Sequence, residues 1–356
     1  MKKTILISAM IAAAFCMVRC ADNGVNSGGF PPAPFPTNLN ITGFSFPTDS
    51  QTIDRWLTLE ATDSLKALGA AWDQGIRFFD TARAYGYGES EGLLGEFLRG
   101  RRDQAVIATK FGILPSPHAL WKEAARAVAR RVLAVAPSSR KILRRGVATQ
   151  FHSNQFTVSV LKRSIEESLQ KLGTDRVDFL FMHAAPAGVL EQEDLLDAMG
   201  RLVEAGKVRV AGISAEPDVI ALALERRIAP LNALQFPCNV FELSAAIRFS
   251  KIGNRGHVLV ANHPFGGIAR VQSCRALLRE LADKPGFDPA LREKLGGLED
   301  GVFADLVLNM ILRDTGIHVV IPAMMRVEHV RANVQAVAQS RFTSAEIAQI
   351  RIAFAS

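Results

Sequence analysis

Apolar positions follow two alternating rhythms along this chain. Strand-length stretches rich in apolar residues recur at 39–44, 76–79, 105–109, 177–182, 208–213, 233–236, 258–261 and 319–321. Between them lie longer stretches, such as 159–172 and 192–205, whose apolar residues sit three and four apart, the period of one helix face. Strands that are apolar throughout are buried on both sides, and their alternation with helices marks βαβ units in a parallel sheet. Eight such units close into a (β/α)8 barrel, so the expected fold is α/β, a TIM barrel. The rival is an open doubly wound sheet. Against it, no Gly-x-Gly-x-x-Gly joins a strand to a helix; Gly86-Tyr87-Gly88 lacks the third glycine.

Some stretches break this rhythm. Lys2 and Lys3 precede an apolar run at 5–18, which makes 1–20 a signal-like segment; the alternative is a true start at Met10 or Met17. Residues 21–38 are Gly- and Pro-rich and read as a linker. The barrel is then expected over 39–356, with two excess segments, 112–156 and 266–300. Both follow strand ends, which puts them on the C-terminal face, where barrel active sites lie. In the first, Trp121, Ala125, Val128, Val132 and Val135 share one helical face, and Lys122, Arg126 and Arg130 share another. A helical insertion is therefore expected between the third strand and third helix.

Charge sharpens that picture. The net charge is +7, and residues 112–156 hold eight basic residues against Glu123 alone. All the excess charge belongs to this segment, which argues against a general nucleic-acid binder and for one local anionic partner. Two uses fit: a lid over the barrel mouth, or an amphipathic helix in peripheral contact with an anionic membrane, helped by 1–20. Cys16, Cys20, Cys238 and Cys274 show no zinc-ligand spacing with histidine. No metal is expected, and Cys238 and Cys274 read as free thiols. With nearly half of its residues apolar (48%), the chain has material for a large core.

Three polar residues end successive apolar strands: Asp80 after FF, Lys110 after VIAT and His183 after FLFM. Each alone has an ordinary reading, as a turn cap, a solvent-facing lysine or a buried histidine. Together at one rim they make the convergence a catalytic set requires. Tyr85 follows Asp80 by five residues, in a turn carrying Gly86 and Gly88.

The blocks GIRFFDTARAYGYGESEGLLGEFL, VIATKFG, SIEESLQKLGTDRVDFLFMH, GKVRVAGIS and VVIPAMMRVEHVRANV, in this order, resemble the aldo-keto reductase superfamily over roughly residues 40–340. The resemblance implies a catalytic tetrad of Asp80, Tyr85, Lys110 and His183, working on a small-molecule carbonyl substrate with NADPH (or NADH) and reducing an aldehyde or ketone reversibly. Tyr85 would be the general acid, with its pKa of about 10 lowered by a cationic Lys110. Asp80 would hold that lysine charged, and His183 would orient the carbonyl oxygen.

The resemblance also implies cofactor contacts. Ser214 and Gln235 match residues that hold the nicotinamide carboxamide. Ala215 stands where asparagine usually follows that serine. In VLVANHPFGG, Asn262 occupies the place of a stacking aromatic, Pro264 follows in the same loop, and Phe265 is the alternative stacking group. Arg326, entering the last helix, is the candidate for the 2′-phosphate, and Asn333 matches an adenine contact. Two other functions stay open: a cofactor-binding regulatory module, like the superfamily's ion-channel subunits, and a membrane-associated sensor. The cofactor argues for a cytoplasmic protein; the signal-like start argues for an exported or membrane-anchored one.

Overall fold

The computed structural model describes residues 41–42, 44–45, 61–115, 151–253, 256–313, 315–324 and 326–355. Seven strands form its centre: β3 (Phe78–Asp80), β4 (Val106–Phe111), β7 (Val177–His183), β8 (Val208–Ser214), β9 (Ala233–Pro237), β10 (Val258–Asn262) and β11 (Val319–Ile321). They pair in parallel and in sequence order, with helices between them. Two short strands complete the sheet. Ile41–Thr42 (β1) pairs with β11, and Phe44–Ser45 (β2) pairs with β3. Both edges of the sheet therefore fall on one five-residue stretch, no more than ~14 Å long fully extended. The sheet is thus a nearly closed barrel, the α/β architecture that the strand–helix rhythm predicts. Each predicted strand lies within two or three residues of an observed one.

Strand alternation decides which side chains enter the barrel. One buried cluster, Phe78, Ala108, Phe179, Phe181, Val210, Ala233, Val260, Val319 and Ile321, fills the interior. The residues between them, such as Phe79, Ile107, Leu180, Ile213, Leu234 and Leu259, join the larger core shared with the helices. On six of the seven central strands a further inward position lies two residues beyond an interior one. These topmost positions are Asp80 above Phe78, Lys110 above Ala108, His183 above Phe181, Gln235 above Ala233 and Asn262 above Val260. Ser214 occupies the same level on β8, two beyond Gly212.

The helices follow from local signals. The helix α1 (Ala61–Asp73) precedes β3, and α2 (Ser90–Phe97) follows the turn that bears Tyr85. Thr157 caps α3 (Val158–Leu172), its Oγ1 accepting from the Val160 N–H at 3.3 Å, and Gly173 ends it in the left-handed region. The predicted 192–205 helix is α4 (Glu193–Glu204), which buries Leu195, Leu196 and Met199. Pro217–Arg226 (α5) and Leu243–Gly253 (α6) follow β8 and β9. The excess segment after β10 forms α7 (Gly267–Asp283) and α8 (Pro289–Leu295), ahead of the buried α9 (Asp300–Leu312). Val327–Ala338 (α10) and Ser344–Ala355 (α11) close the chain.

The other excess segment, 112–156, is described only at its ends. There Leu114–Pro115 (β5) and Phe151–His152 (β6) pair as an antiparallel ribbon directly above β4. The helical faces predicted around Trp121 and Arg130 lie outside the described residues, as do 1–40. Among the described residues no helix is long and apolar enough to cross a membrane. Both described cysteines, Cys238 and Cys274, are buried free thiols.

The α2–α3 contact is close enough to be tested by one methyl group. A Cβ on Gly95 would lie 2.5 Å from the Lys171 carbonyl oxygen and 2.7 Å from the Leu172 carbonyl carbon. Gly95→Ala gains about 1 kcal/mol of helix propensity, but overpacking against backbone costs ~1–3 kcal/mol or more. The variant is expected to unfold at lower urea concentration than the parent; an equal or higher midpoint would show that α2 and α3 separate freely.

Candidate active site

The topmost inward positions converge on one buried ion pair. Lys110 Nζ donates to Asp80 Oδ2 at 2.5 Å, and both side chains are 1% exposed. The ammonium also donates to the Thr81 carbonyl at 3.0 Å. Gln235 Nε2 donates to the other oxygen, Asp80 Oδ1, at 2.9 Å. Gln235 Oε1 in turn accepts from Ser214 Oγ at 2.8 Å and, at 3.5 Å, from Asn262 Nδ2. His263, in a left-handed backbone conformation with φ 50°, places Nδ1 3.0 Å from Asn262 Oδ1. Since Asn262 Oδ1 can only accept, His263 Nδ1 carries the proton.

Tyr85 lies in a 3-10 turn, Tyr85–Gly88, between β3 and α2. Lys110 Nζ stands 4.6 Å from the centre of its ring. The rings of Tyr85 and His183 meet edge to face at 5.5 Å. All four residues of the predicted tetrad are thus brought together. The predicted cofactor residues divide into two groups. Ser214, Gln235 and Asn262 belong to the network on Asp80, with Pro264 buried just beyond it. Arg326 is exposed at the entry to α10 and Asn333 is buried on that helix. Phe265 stacks on Phe303 of α9, with ring centres 6.3 Å apart, and remains partly exposed.

Burial sets the electrostatics. Lys110 is pulled below the ordinary lysine value by desolvation, against the opposing charge and hydrogen bond of Asp80 and the charge of Glu91. The Tyr85 phenol is pushed well above its ordinary value, by burial first and by Asp80's charge second. This corrects the expectation that Lys110 lowers the phenol: in this site desolvation outweighs the cation, and the hydroxyl stays protonated. His183 is pushed down to about 3 by burial, then by the charges of Lys110 and His263. It is neutral, and its Nδ1 is sealed from solvent with no partner. A sealed lone pair is less costly than a sealed N–H, which puts the imidazole proton on Nε2.

One acid in this region is absent from the set read from the sequence. Glu91, in the first turn of α2, is fully buried and its Oε1 accepts from Thr109 Oγ1 at 2.7 Å. An acid in a first helical turn ordinarily complements the helix dipole at the surface, so the sequence carried no signal of its burial. Among the described residues no group of three His, Cys, Asp or Glu side chains could hold a metal ion.

The depressed His183 value fixes a pH dependence. An unfolded histidine titrates near 6.5, so below that pH the unfolded chain takes up a proton that the native state refuses until about pH 3. Native stability is complete above pH 6.5 and falls as pH drops toward 3, by up to ~1.4 kcal/mol per pH unit from this group. His183→Asn removes that contribution. Urea unfolding between pH 7 and 4 is expected to show a shallower decline for His183→Asn than for the parent; parallel curves would show that His183 ionises freely in the native state.

The model of the Aldo/keto reductase family matches residues 50–354. The aldo-keto reductase YhdN of Bacillus subtilis is 30% identical over 189 residues, 52% of this chain and 47% of that protein. The chain spans about half the length of the first curated relatives it matches. Among solved structures, the holo form of aldo-keto reductase AKR11C1 from Bacillus halodurans aligns with a TM-score of 0.60 and 21% identity, covering 88% of this chain and 91% of that one. A Klebsiella pneumoniae aldo-keto reductase in complex with NADPH aligns with a TM-score of 0.55 and 20% identity, over 88% and 90% of the two chains. The structural matches share the barrel, and the family model spans nearly all of it: this chain belongs to the aldo/keto reductase family.

Proposed function

We infer that the chain reduces an aldehyde or ketone to an alcohol with NADPH, reversibly. One observation carries the reading: a sealed Lys110–Asp80 ion pair lies beside a protonated tyrosine and a neutral histidine, on the same rim as an amide and hydroxyl network. That network suits a nicotinamide carboxamide, which needs one donor for its oxygen and acceptors for its two N–H groups. Ser214 Oγ, Gln235 and Asn262 offer both kinds of atom within one patch. Ala215 contributes no side-chain amide there. Arg326 and Asn333, on the helix after β11, are the groups for the 2′-phosphate and the adenine, at the end of the barrel where helix N-termini favour phosphate. A Klebsiella pneumoniae neighbour of the same fold is described in complex with NADPH, which supports that dinucleotide as the cofactor.

Bound there, NADPH supplies the hydride that the carbonyl carbon accepts. The remaining work falls to this chain. Tyr85 gives its hydroxyl proton to the carbonyl oxygen as negative charge develops on it. Its raised pKa keeps that proton in place until the oxygen becomes basic enough to take it. Lys110, held charged by Asp80, lies against the same ring and stabilises the phenolate that proton loss leaves behind. His183, neutral throughout the physiological range, donates Nε2–H to the carbonyl oxygen and aims it at Tyr85. The sealed floor under these groups strengthens each of these interactions by excluding water.

Two measurements test this reading. Tyr85→Phe removes one oxygen and leaves the ring contacts intact. It is expected to lower kcat on an aldehyde panel by about 10²–10⁴-fold while NADPH still quenches protein fluorescence; near-parent kcat would exclude Tyr85 as the acid. Arg326→Ala deletes one charge-assisted hydrogen bond, worth roughly 1.5–3 kcal/mol, or about 10–150-fold in affinity. The loss is expected for NADPH and not for NADH; equal losses would mean that Arg326 reads another part of the dinucleotide.

A further inference from the structure

Glu91 is a buried carboxylate outside the tetrad, and it is under-satisfied. Its Oε1 accepts from Thr109, but Oε2 is sealed from solvent without a hydrogen-bond partner. Taking an ionisable group out of water in this way is unfavourable, and an apolar side chain of similar volume would pack there more readily. Thr109 itself is fully buried, so both ends of the bond lie inside the fold. A costly polar contact of this kind is a candidate for function.

Its position says what that function is. Thr109 and Lys110 are neighbours on β4, and strand alternation sends them to opposite sides: Lys110 into the barrel, Thr109 toward the helices. Glu91 meets Thr109 from the helix side. Asp80 meets Lys110 from within, at 2.5 Å. One carboxylate thus meets the lysine itself, and a second, from a different element, is bonded to the residue beside it on the strand. Glu91 also begins the helix that runs on directly from the Tyr85–Gly88 turn, so the Glu91–Thr109 bond joins the segment bearing the tyrosine to the strand bearing the lysine. The same segment is anchored to α3 by Arg83, which reaches Ser164 and Glu167, and by Lys171, which donates to the Gly88 carbonyl. Those anchors hold the turn against a helix, whereas Glu91 holds it against β4.

We propose that Glu91 is a positioning residue of this site: a second buried carboxylate, behind β4, that with Asp80 brackets Lys110 and fastens the Tyr85 turn to the lysine's strand. The inference rests on the reductase reading for its consequence in turnover, though not for its electrostatics. The ionisable groups around Lys110 are Asp80 from β3, Tyr85 from the turn, Glu91 from α2 and His183 from β7; β8 and β9 contribute neutral Ser214 and Gln235. The charged groups on the elements packed against α2 include Arg83 before the turn, Glu167 and Lys171 on α3, and the Asp63–Lys66 pair on the exposed side of α1. Both carboxylates favour the charged lysine, and desolvation opposes them. Losing either one shifts the balance toward the neutral amine.

The experiment reads Lys110 directly and then its effect on turnover. In cofactor-free protein labelled with 15N at lysine Nζ, the Lys110 signal is assigned by its loss in Lys110→Arg and followed with pH. Glu91→Gln keeps the carbonyl that accepts from Thr109 and removes the charge; it is expected to move the lysine's titration to lower pH by about one unit. Thr109→Val removes the donor that supports the carboxylate and is expected to move it in the same direction. In both variants the basic limb of the kcat pH profile should move with the lysine, while the Kd for NADPH stays within about twofold. An unmoved lysine titration in both variants overturns the proposal, and so does loss of NADPH binding with an unmoved lysine, which would mark Glu91 as structural only. A parent protein inactive on every carbonyl offered would refute the reductase reading instead, and the lysine titration would still decide Glu91.

Discussion

The Lys110–Asp80 ion pair is the constraint around which the top of the barrel is organised. Two charges removed from water cost several kcal/mol each unless every remaining lone pair and proton finds a partner. Here Thr81 supplies a carbonyl to the ammonium and Gln235 supplies an N–H to the carboxylate. Gln235 must then be oriented, and Ser214 and Asn262 do so by donating to its oxygen. The polar layer across β3, β4, β8, β9 and β10 follows from the need to satisfy one buried carboxylate. Ala108, small and fully buried beneath Lys110, leaves room for the lysine stem, and bulkier Phe78 and Phe181 floor the layer under Asp80 and His183.

The same layer separates what is chemical from what is merely packed. Two residues below the rim the barrel is filled by apolar side chains, and the rim strands other than β9 end within one residue above it. Tyr85 enters from a turn instead of a strand, so its position depends on how that turn is fastened. Three contacts fasten the segment, to α3 and to β4, and two of them use buried groups that serve no apolar core. Stability alone would have selected hydrocarbon at Glu91 and Arg83; the polar choices make sense as a means of holding one phenol in one place.

Much of this was legible in the sequence, for a physical reason. Strands buried on both faces read as plain apolar runs, so a polar residue at the end of such a run stands out, as Asp80, Lys110 and His183 do. The inward direction of those residues follows from a period of two. What the sequence did not carry was desolvation. Tyr85 beside a lysine reads as an acidified phenol, yet burial pushes it the other way. Glu91 in a first helical turn reads as a surface acid, and only the three-dimensional path of α2 over β4 buries it. Phe265 reads as an alternative stacking group, and nothing in the sequence announces its contact with Phe303, nearly forty residues downstream.

The seam of the barrel has a kinetic consequence. Ile41 pairs with Val319, so ring closure joins the beginning of the described chain almost to its end, whereas Phe44 pairs with Phe79 and β3 through β11 pair successively with nearer neighbours. Contacts that span long loops are entropically late. The folding order that follows is a curved, open sheet that grows strand by strand and then shuts on one dipeptide, Ile41–Thr42 against β11. The rim from Asp80 to Asn262 lies wholly within the part that grows first, so the site is assembled before the ring is complete, and opening of the seam in native-state hydrogen exchange leaves it intact.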